Sequence, residues 1–323
     1  SASYQFGYNH STAYSMIGYM CAYLRYYYPV EFIASYLNNA DNEEDTVNGT
    51  RLAEQLGVKI YPPTFRKSKG DYVADSENRI VYKGIGSIKY LNCGVGEQLY
   101  ELGRNKYDTF IDLLYDINNK TSLNSKQLNI LIGINFFKEF GGNKYLLKCV
   151  DVFNNITTKK QFKKESLPLG LTEEDIRPFA NKETEKIFKE VDVIRLTKQI
   201  IKGCNKEETL SLKEMFKIEL ENLGYVSHTD FNYEPDIVLI ENINTNRYGT
   251  SFADLYRIKD GAKTNIKIDK DYFKEKPLSK GDIIKVVEFK DKEKKKRDEK
   301  GKWVGTGVYE KILTKYGMVE ANE

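Results

Sequence analysis

Gly84-Ile85-Gly86-Ser87-Ile88-Lys89 and then Gly94-Val95-Gly96-Glu97 set the frame for the rest of this chain. Residues 86–93 read as a short helix, Gly94-Val95-Gly96 as a tight turn, and residues 97–102 as the next helix. Glycine reaches backbone conformations closed to other residues and lets the backbone approach another group closely. A helix starting after such a turn offers unpaired N–H groups and the positive end of its dipole, a pairing suited to an anion. Lys83, Lys89, Arg104 and Lys106 lie nearby and add charge. This is a helix-hairpin-helix pattern, whose expected ligand is a phosphate backbone rather than base edges. A plain glycine turn between packed helices accounts for the same residues.

On the N-terminal side, Ser11 or Thr12 can cap a helix that runs to about residue 28, where Pro29 stops it. Ala13, Met16, Ile17, Met20, Cys21 and Leu24 make one face of that helix, and Tyr19, Tyr23, Tyr26 and Tyr27 fill the rest. Further helices are expected over 31–37 and 43–56, the second closed by Gly57. Residues 58–60, 72–74 and 79–82 read as short strands, the last two joined through Asp75-Ser76-Glu77-Asn78. The chain then reads helical to about residue 150.

Residues 150–230 read as a helical connector that opens with a linker over 156–170. Thr172 with Asp175, and Ser211 with Glu214, have the spacing of capping boxes. After Pro235 the texture changes to short strands at 237–240, 252–256, 265–268, 283–287 and 308–313. Strands of this length and spacing suit a small barrel such as an OB-fold, with a small sandwich as the alternative. Residues 290–302 are densely charged and read as a solvated hairpin tip, the minority reading being a phosphate-tracking arm.

The chain has 323 residues, 30% charged and 40% hydrophobic, with a formal net charge of +3. That balance excludes a polycation, so any nucleic-acid contact must come from local basic patches. The four cysteines lie far apart and there are two histidines, so reduced thiols in a cytoplasmic protein are expected rather than a zinc site. The most apolar stretch, 13–34, carries Arg25, Pro29 and Glu31 and is a poor membrane span. A start at Ser1 rather than Met reads as a fragment, a processed product or a piece of a split gene.

The motifs, in this order, resemble the alpha subunit of bacterial DNA polymerase III and its phage counterparts, the family C DNA polymerases. The family's Phe-Asn-Lys-Ser-His-Ser-Ala-Ala-Tyr is matched at Phe6, His10, Ser11, Ala13 and Tyr14. Its Tyr-Pro-x-Glu-Phe is matched at Tyr28, Pro29, Glu31 and Phe32. Its Leu-Gly-Ile and Pro-Pro-Asp segments correspond to Leu56-Gly57-Val58 and Pro62-Pro63-Thr64. The glycine stretch quoted above and Leu223-Gly224-Tyr225-Val226-Ser227-His228 complete the series. The family's lysine falls at Tyr8 and its aspartate at Thr64, so one point charge for phosphates is lost.

The resemblance implies an α+β architecture: a mainly helical fingers-like region (1–85), a helix-hairpin-helix region (86–150), a helical connector (151–233) and a small OB-like β-barrel (234–323). It implies that the chain holds primer–template DNA and forms part of a nucleotide pocket. His10, Ser11 and Arg25 would face the nucleotide. Lys83, Lys89, Gly94, Val95, Gly96, Arg104 and Lys106 would meet the duplex, and Arg247, Tyr248 and Arg257 on the barrel the single strand. Phe252 and Tyr256 are further stacking candidates, although strand aromatics more often belong to a core.

A polymerase needs paired aspartates that clamp two metal ions. In the family these sit in a palm upstream of the fingers, where Mg²⁺ is expected. Here Glu190 and Asp192 on an expected helix diverge by about 200°, and Asp269 and Asp271 flank a charged turn. No catalytic or metal residue is therefore assigned. The chain is expected to be an inactive fragment of a DNA-directed DNA polymerase, a nucleotidyltransferase, partnered by a palm-bearing fragment or upstream domains. A sliding clamp is a candidate partner through Glu165-Ser166-Leu167-Pro168-Leu169, which departs from the family's clamp peptide and also reads as an ordinary linker. The alternatives are a stand-alone nucleic-acid-binding accessory protein derived from a polymerase, and a protein-interaction module built on the connector.

Overall fold

The structure, a computed structural model, describes residues 7–224, 226, 232–297 and 302–319. It separates into two compact units, 1–208 and 209–323. The segment 151–233 is thereby shared between them.

The first unit opens with helix α1 (Tyr8–Tyr27), which begins a turn earlier than its expected caps. Thr12 instead lies inside the helix, donating its hydroxyl to the Tyr8 carbonyl at 2.9 Å. Pro29 both stops α1 and starts α2 (Pro29–Asn38), where its missing N–H is no loss. Asn42 caps α3 (Glu43–Gln55), and Gly57 closes it with φ 66°. Val30, Ile33, Ala34 and Leu37 of α2 form a core with Ala53, Val58 and Val81. Strands β1 (Lys59–Tyr61), β2 (Val73–Asp75) and β3 (Ile80–Tyr82) make a sheet of order β1-β3-β2, with β1 parallel to β3.

Four helices follow: α4 (Cys93–Leu102), α5 (Phe110–Lys120), α6 (Ser125–Gly133) and α7 (Asn143–Thr157). Capping boxes start α5 (Thr109 with Asp112) and α6 (Asn124 with Gln127). Phe65 packs its ring 5.9 Å from that of Phe136 and 5.4 Å from that of Phe137. Arg66, at φ 69°, ties this core to α4: its guanidinium donates to the carbonyls of Gly103 and Asn105 and to the Glu139 carboxylate.

The expected helical connector is corrected. Residues 156–170 are no linker, because α7 runs to Thr157 and a second sheet begins directly after it. This sheet has order β4-β6-β5, from β4 (Gln161–Lys163), β5 (Ala180–Glu183) and β6 (Ile187–Val191). Phe162 and Phe188 are paired across it and fully buried. With so little apolar content per strand, alternation gives no usable signal. The short helix α8 (Glu173–Ile176) has the expected Thr172–Asp175 capping box, and α9 (Val193–Ile201) ends the unit.

A charged clasp closes this sheet. Lys164 lies 2.7 Å from Glu183 and 3.0 Å from Glu173, and Arg177 lies 3.1 and 3.3 Å from the same two. Hydrogen bonds from Arg177 and then Lys164 pull the Glu183 carboxyl from its ordinary 4.5 to about 2.

In the second unit α10 (Leu212–Asn222) starts with the expected Ser211–Glu214 capping box and packs on a barrel. The strands are β7 (Ile237–Thr245), β8 (Ser251–Arg257), β9 (Lys263–Ile268), β10 (Ile283–Arg297) and β11 (Trp303–Met318). They close in the order β10-β11-β9-β8-β7, with α11 (Lys270–Glu275) between β9 and β10. All pairs are antiparallel except β9 with β11. This is an OB-like barrel, with Ile240, Ala253, Ile268, Ile284 and Leu313 buried inside.

The charged stretch from residue 290 is not a loop over its described part. β10 and β11 continue beyond the barrel as a two-stranded ribbon, paired as far as Arg297 with Trp303. A ribbon open to water on both faces needs no apolar alternation, so the hydrophobic pattern could not reveal it. Glu293 accepts the Gly307 N–H at 2.8 Å, and Thr306 donates to the Lys294 carbonyl at 2.7 Å, at a shift in strand register.

The clasp gives a pH-dependent test. A carboxyl whose pKa is depressed on folding contributes stability above 4.5, and that contribution is lost as pH falls toward about 2. Glu183→Gln should lower the thermal midpoint at pH 7, and the gap from the parent should close over that acid window in melts followed by circular dichroism.

Candidate nucleic-acid interface

The bend before α4 differs from its expected form. Residues 86–93 are not a helix: a single 3-10 turn spans Ile85–Ser87, and the chain then reverses at Lys89 and Tyr90. Tyr90, not a glycine, holds the left-handed conformation, with φ 70°. Gly94, Val95 and Gly96 lie in the first turn of α4, whose N-cap is Asn92, accepting the Val95 N–H at 3.0 Å. Asparagine is a strong cap, so it starts the helix before the glycines rather than after them.

Neither Gly94 nor Gly96 is needed for a positive φ. Gly96 is needed for space: a Cβ there would meet the Gly70 Cα at 2.6 Å. The requirement is mutual, since a Cβ on Gly70 would meet the Cys93 carbonyl oxygen at 2.6 Å. A Cβ on Gly84 would meet the Asp71 backbone, and one on Gly86 the Cys93 Sγ, both at 2.5 Å. Backbone bonds fix the contact, with Ile85 N–H to Lys69 and Gly86 N–H to Gly70, both at 2.9 Å. Gly94 is exposed, and the nearest atom to its would-be Cβ is the Asn92 side-chain oxygen at 3.2 Å.

The bend thus presents Lys89, Tyr90, Asn92, Cys93 and Gly94 to solvent, while Val95 and Gly96 are buried. α6 supplies a cation that the sequence reading missed. Lys126 sits with its Nζ 3.5 Å from the Tyr90 ring centroid, and its neighbour Gln127 donates to the Tyr90 carbonyl at 2.8 Å. Arg104 and Lys106 lie past the far end of α4, about 15 Å along the axis, and Arg104 pairs with Glu101 at 2.9 Å. Lys83 is buried, and burial pushes its ammonium down from 10.5 to about 8, so it is withdrawn from the contact set.

His10, Ser11 and Arg25 are exposed on α1 and share a stripe about 100° wide, but His10 and Arg25 are about 22 Å apart along the helix. They do not converge on one phosphate. Phe6, Tyr225, Ser227 and His228 lie outside the described residues, as do Asp298 and Glu299 of the charged stretch.

On the barrel, Arg247 and Tyr248 form the β7–β8 turn, with the guanidinium 4.8 Å from the ring centroid and the ring exposed. Arg257 lies at the opposite end of β8, paired with Asp260 at 2.7 Å. Tyr256 is corrected to a core residue, 2% exposed and packed edge-on against Phe216. An open cleft of about 760 Å³ runs beside the ribbon, lined among others by Phe252, Arg257, Lys267, Phe289, Lys294 and Lys311. Apart from Phe252 and Arg257 these were missed: Lys294 falls in the stretch read as a hairpin tip, and Lys267 and Lys311 fall on expected strands whose pairing across the cleft the sequence does not show.

The carboxylates weighed for metal binding are in structural use. Asp192 caps α9 and Asp269 caps α11 through backbone N–H groups. Glu190 lies on β6 rather than on a helix, and pairs with Lys182. These residues do not fit a two-metal clamp, and no chemical step is derived through one. The segment 165–169 falls in the turn after β4, with Leu169 exposed at φ 56°. Among the described residues no helix is long and apolar enough to cross a membrane.

A family model described as a helix-hairpin-helix motif matches residues 57–147, the stretch that holds the bend and α4, and the second unit carries the OB-like barrel. The relatives then make the comparison specific. The chain is 36% identical over 137 residues to DNA polymerase III subunit alpha of Aquifex aeolicus, covering 41% of this chain and 11% of that protein. It is 32% identical over 154 residues to that of Bacillus subtilis, covering 47% and 14%. For Escherichia coli K12 the values are 33% over 150 residues, 45% and 13%. The resemblance read from the motifs holds over part of the chain, between 41% and 51% of it, and the chain spans between 11% and 15% of the length of such relatives.

The two glycines of α4 should behave differently. Gly96→Ala forces a methyl group into the Gly70 backbone and should cost about 1–3 kcal/mol. Gly94→Ala should leave the thermal midpoint unchanged or raise it, because alanine is the better helix former. Parallel denaturant melts of the two variants check both.

Proposed function

We propose that this chain is the DNA-holding portion of a replicative polymerase of the polymerase III alpha type. It grips primer–template DNA at the bend before α4, guides the single strand over the barrel, and contributes one wall of the nucleotide pocket through one end of α1. The observation that carries this reading is the bend itself. An exposed backbone at Asn92-Cys93-Gly94 opens a helix N-terminus, with Lys89 and Lys126 beside it. Those features read a sugar–phosphate rail and not base identity.

The reacting metal ions belong, in this reading, to paired aspartates on polypeptide outside this chain. The chain alone should not extend a primer with Mg²⁺, and adding a palm-bearing partner should restore synthesis. A stand-alone accessory protein is the second reading. Tyr8 and Thr64 favour it, because each stands where the family carries a charge. Thr64 is occupied in a local turn, donating its hydroxyl to the Pro62 carbonyl at 3.1 Å.

Fluorescence anisotropy with primer–template DNA at two salt concentrations tests the grip. Affinity should fall steeply with salt, and Lys89→Ala and Lys126→Ala should each flatten the slope by about 0.9. Salt-independent binding, or none, would end the proposal. For the barrel, Phe289→Ala should weaken binding of single-stranded DNA by about 1–3 kcal/mol if a base stacks there.

A further inference from the structure

Tyr90 breaks a local rule at the tip of the bend. Leu91 donates its N–H to the Ile88 carbonyl at 3.0 Å, so Lys89 and Tyr90 are the central residues of a tight turn. The second of them, Tyr90, has φ 70°. That position ordinarily takes glycine or asparagine, and a bulky side chain there is an outlier. The packing does not call for the ring. Ile88 and Leu91, at 2% and 9% exposure, anchor the turn on either side, whereas Tyr90 is 53% exposed. The bond that steadies the turn runs from Gln127 to the Tyr90 carbonyl, a group that any residue would supply. The fold thus carries backbone strain for a side chain it does not bury, and such outliers cluster where ligands are held.

The ring is also fixed in place. Lys126 sets its Nζ 3.5 Å from the ring centroid, and Lys89 its Nζ at 5.2 Å. Lys126 and Gln127 are neighbours on α6, so the ring and its backbone are held by the same helix. An aromatic group ordered in advance loses little freedom on contact. Its surroundings name the class of ligand. Two ammonium groups and the exposed backbone at Asn92-Cys93-Gly94 suit a polyanion. An aromatic face among cations is the combination on which nucleic-acid bases stack. In unbroken duplex every base is covered by the bases above and below it, so a ring finds a free base face only at an end or a break. The phenol hydroxyl argues against a wedge driven between stacked bases, where it would be stripped of water. A ring laid over an end leaves that hydroxyl in solvent.

We infer that Tyr90 is a specificity-determining residue of the bend, stacking on an exposed terminal base so that the bend prefers duplex with ends or breaks to unbroken duplex. The inference rests on the DNA-holding reading above and names the class of DNA that the same site selects. The labour divides between two kinds of group. The lysines and the backbone of the bend meet phosphates, which are alike along any duplex. Tyr90 adds its contribution only where the stack of bases stops.

Fluorescence anisotropy of the full chain with two labelled DNAs of one sequence tests this. The first is a duplex with open ends, one of them recessed. The second is the same duplex closed at both ends by short loops whose stacked bases cover the end pairs. The parent should bind the open duplex about tenfold more tightly. Tyr90→Asn suits a positive φ and keeps the carbonyl for Gln127, so it should melt no lower than the parent. It should erase the preference while leaving affinity for the closed duplex, and its salt dependence, unchanged. Tyr90→Phe should keep the preference, because the ring and not the hydroxyl stacks. Equal affinity of the parent for the two DNAs overturns the inference alone. So does a Tyr90→Asn variant that retains the preference or weakens both duplexes alike. Absence of salt-dependent binding to either DNA overturns the DNA-holding reading, and this inference with it.

Discussion

Three backbone segments meet at the start of α4 with no side chain between them. Gly70 and Gly96 lie so close that neither tolerates a Cβ, and Gly84 and Gly86 are held as tightly against Asp71 and Cys93. Two backbone hydrogen bonds, from Ile85 to Lys69 and from Gly86 to Gly70, set the register of this contact. The Glu97 side chain then accepts the Gly70 N–H at 3.1 Å and ties the body of α4 to the same loop. The consequence is positional. The N-terminal N–H groups of α4 are fixed relative to the sheet β1-β3-β2 and not left to a flexible hairpin. A phosphate site needs that fixity, because donors on a mobile turn must be ordered before they bind.

The bend uses its glycines differently from the way their pattern suggests. A Gly-x-Gly triplet between apolar runs reads as a turn, since glycine is the residue that most easily reverses a chain. Here the reversal is carried by Tyr90 in the left-handed region, supported from α6 by Gln127 at its carbonyl and Lys126 over its ring. That support comes from residues more than thirty positions away (Tyr90 to Gln127 is a separation of 37). No local reading of the sequence could supply it. The identity of the motif was legible from its residues; its geometry depended on a tertiary contact.

The same division runs through the chain. Features with a local cause were legible: Gly57 closing α3, Pro29 between α1 and α2, the boxes at Thr172 and Ser211, and five strands for the barrel. Features whose cause is pairing across space were not. The sheet β4-β6-β5 rests on Phe162 against Phe188 and an ionic clasp, and the β10–β11 ribbon on backbone pairing between charged strands. Of the candidate site, Lys89 and Gly94 are exposed, whereas Lys83 lies in the interior and Lys126 comes from another helix.

Charge is distributed in a way that separates two kinds of surface. With a net formal charge of +3, the overall field of the chain is weak, so its surface potential is set by local groups. Lys89 and Lys126 flank the bend, and Lys267, Lys294 and Lys311 line the barrel cleft. Both places combine cations with an aromatic ring, Tyr90 in one and Phe289 in the other, as a nucleic-acid surface requires. α1 has the rings without the lysines, and methionines in their place. A helix of that kind beside a phosphate rail would gain little from it, yet its apolar face remains costly to leave in water. The two kinds of surface therefore differ in chemistry: one sets lysines beside a ring, the other sets rings beside methionines.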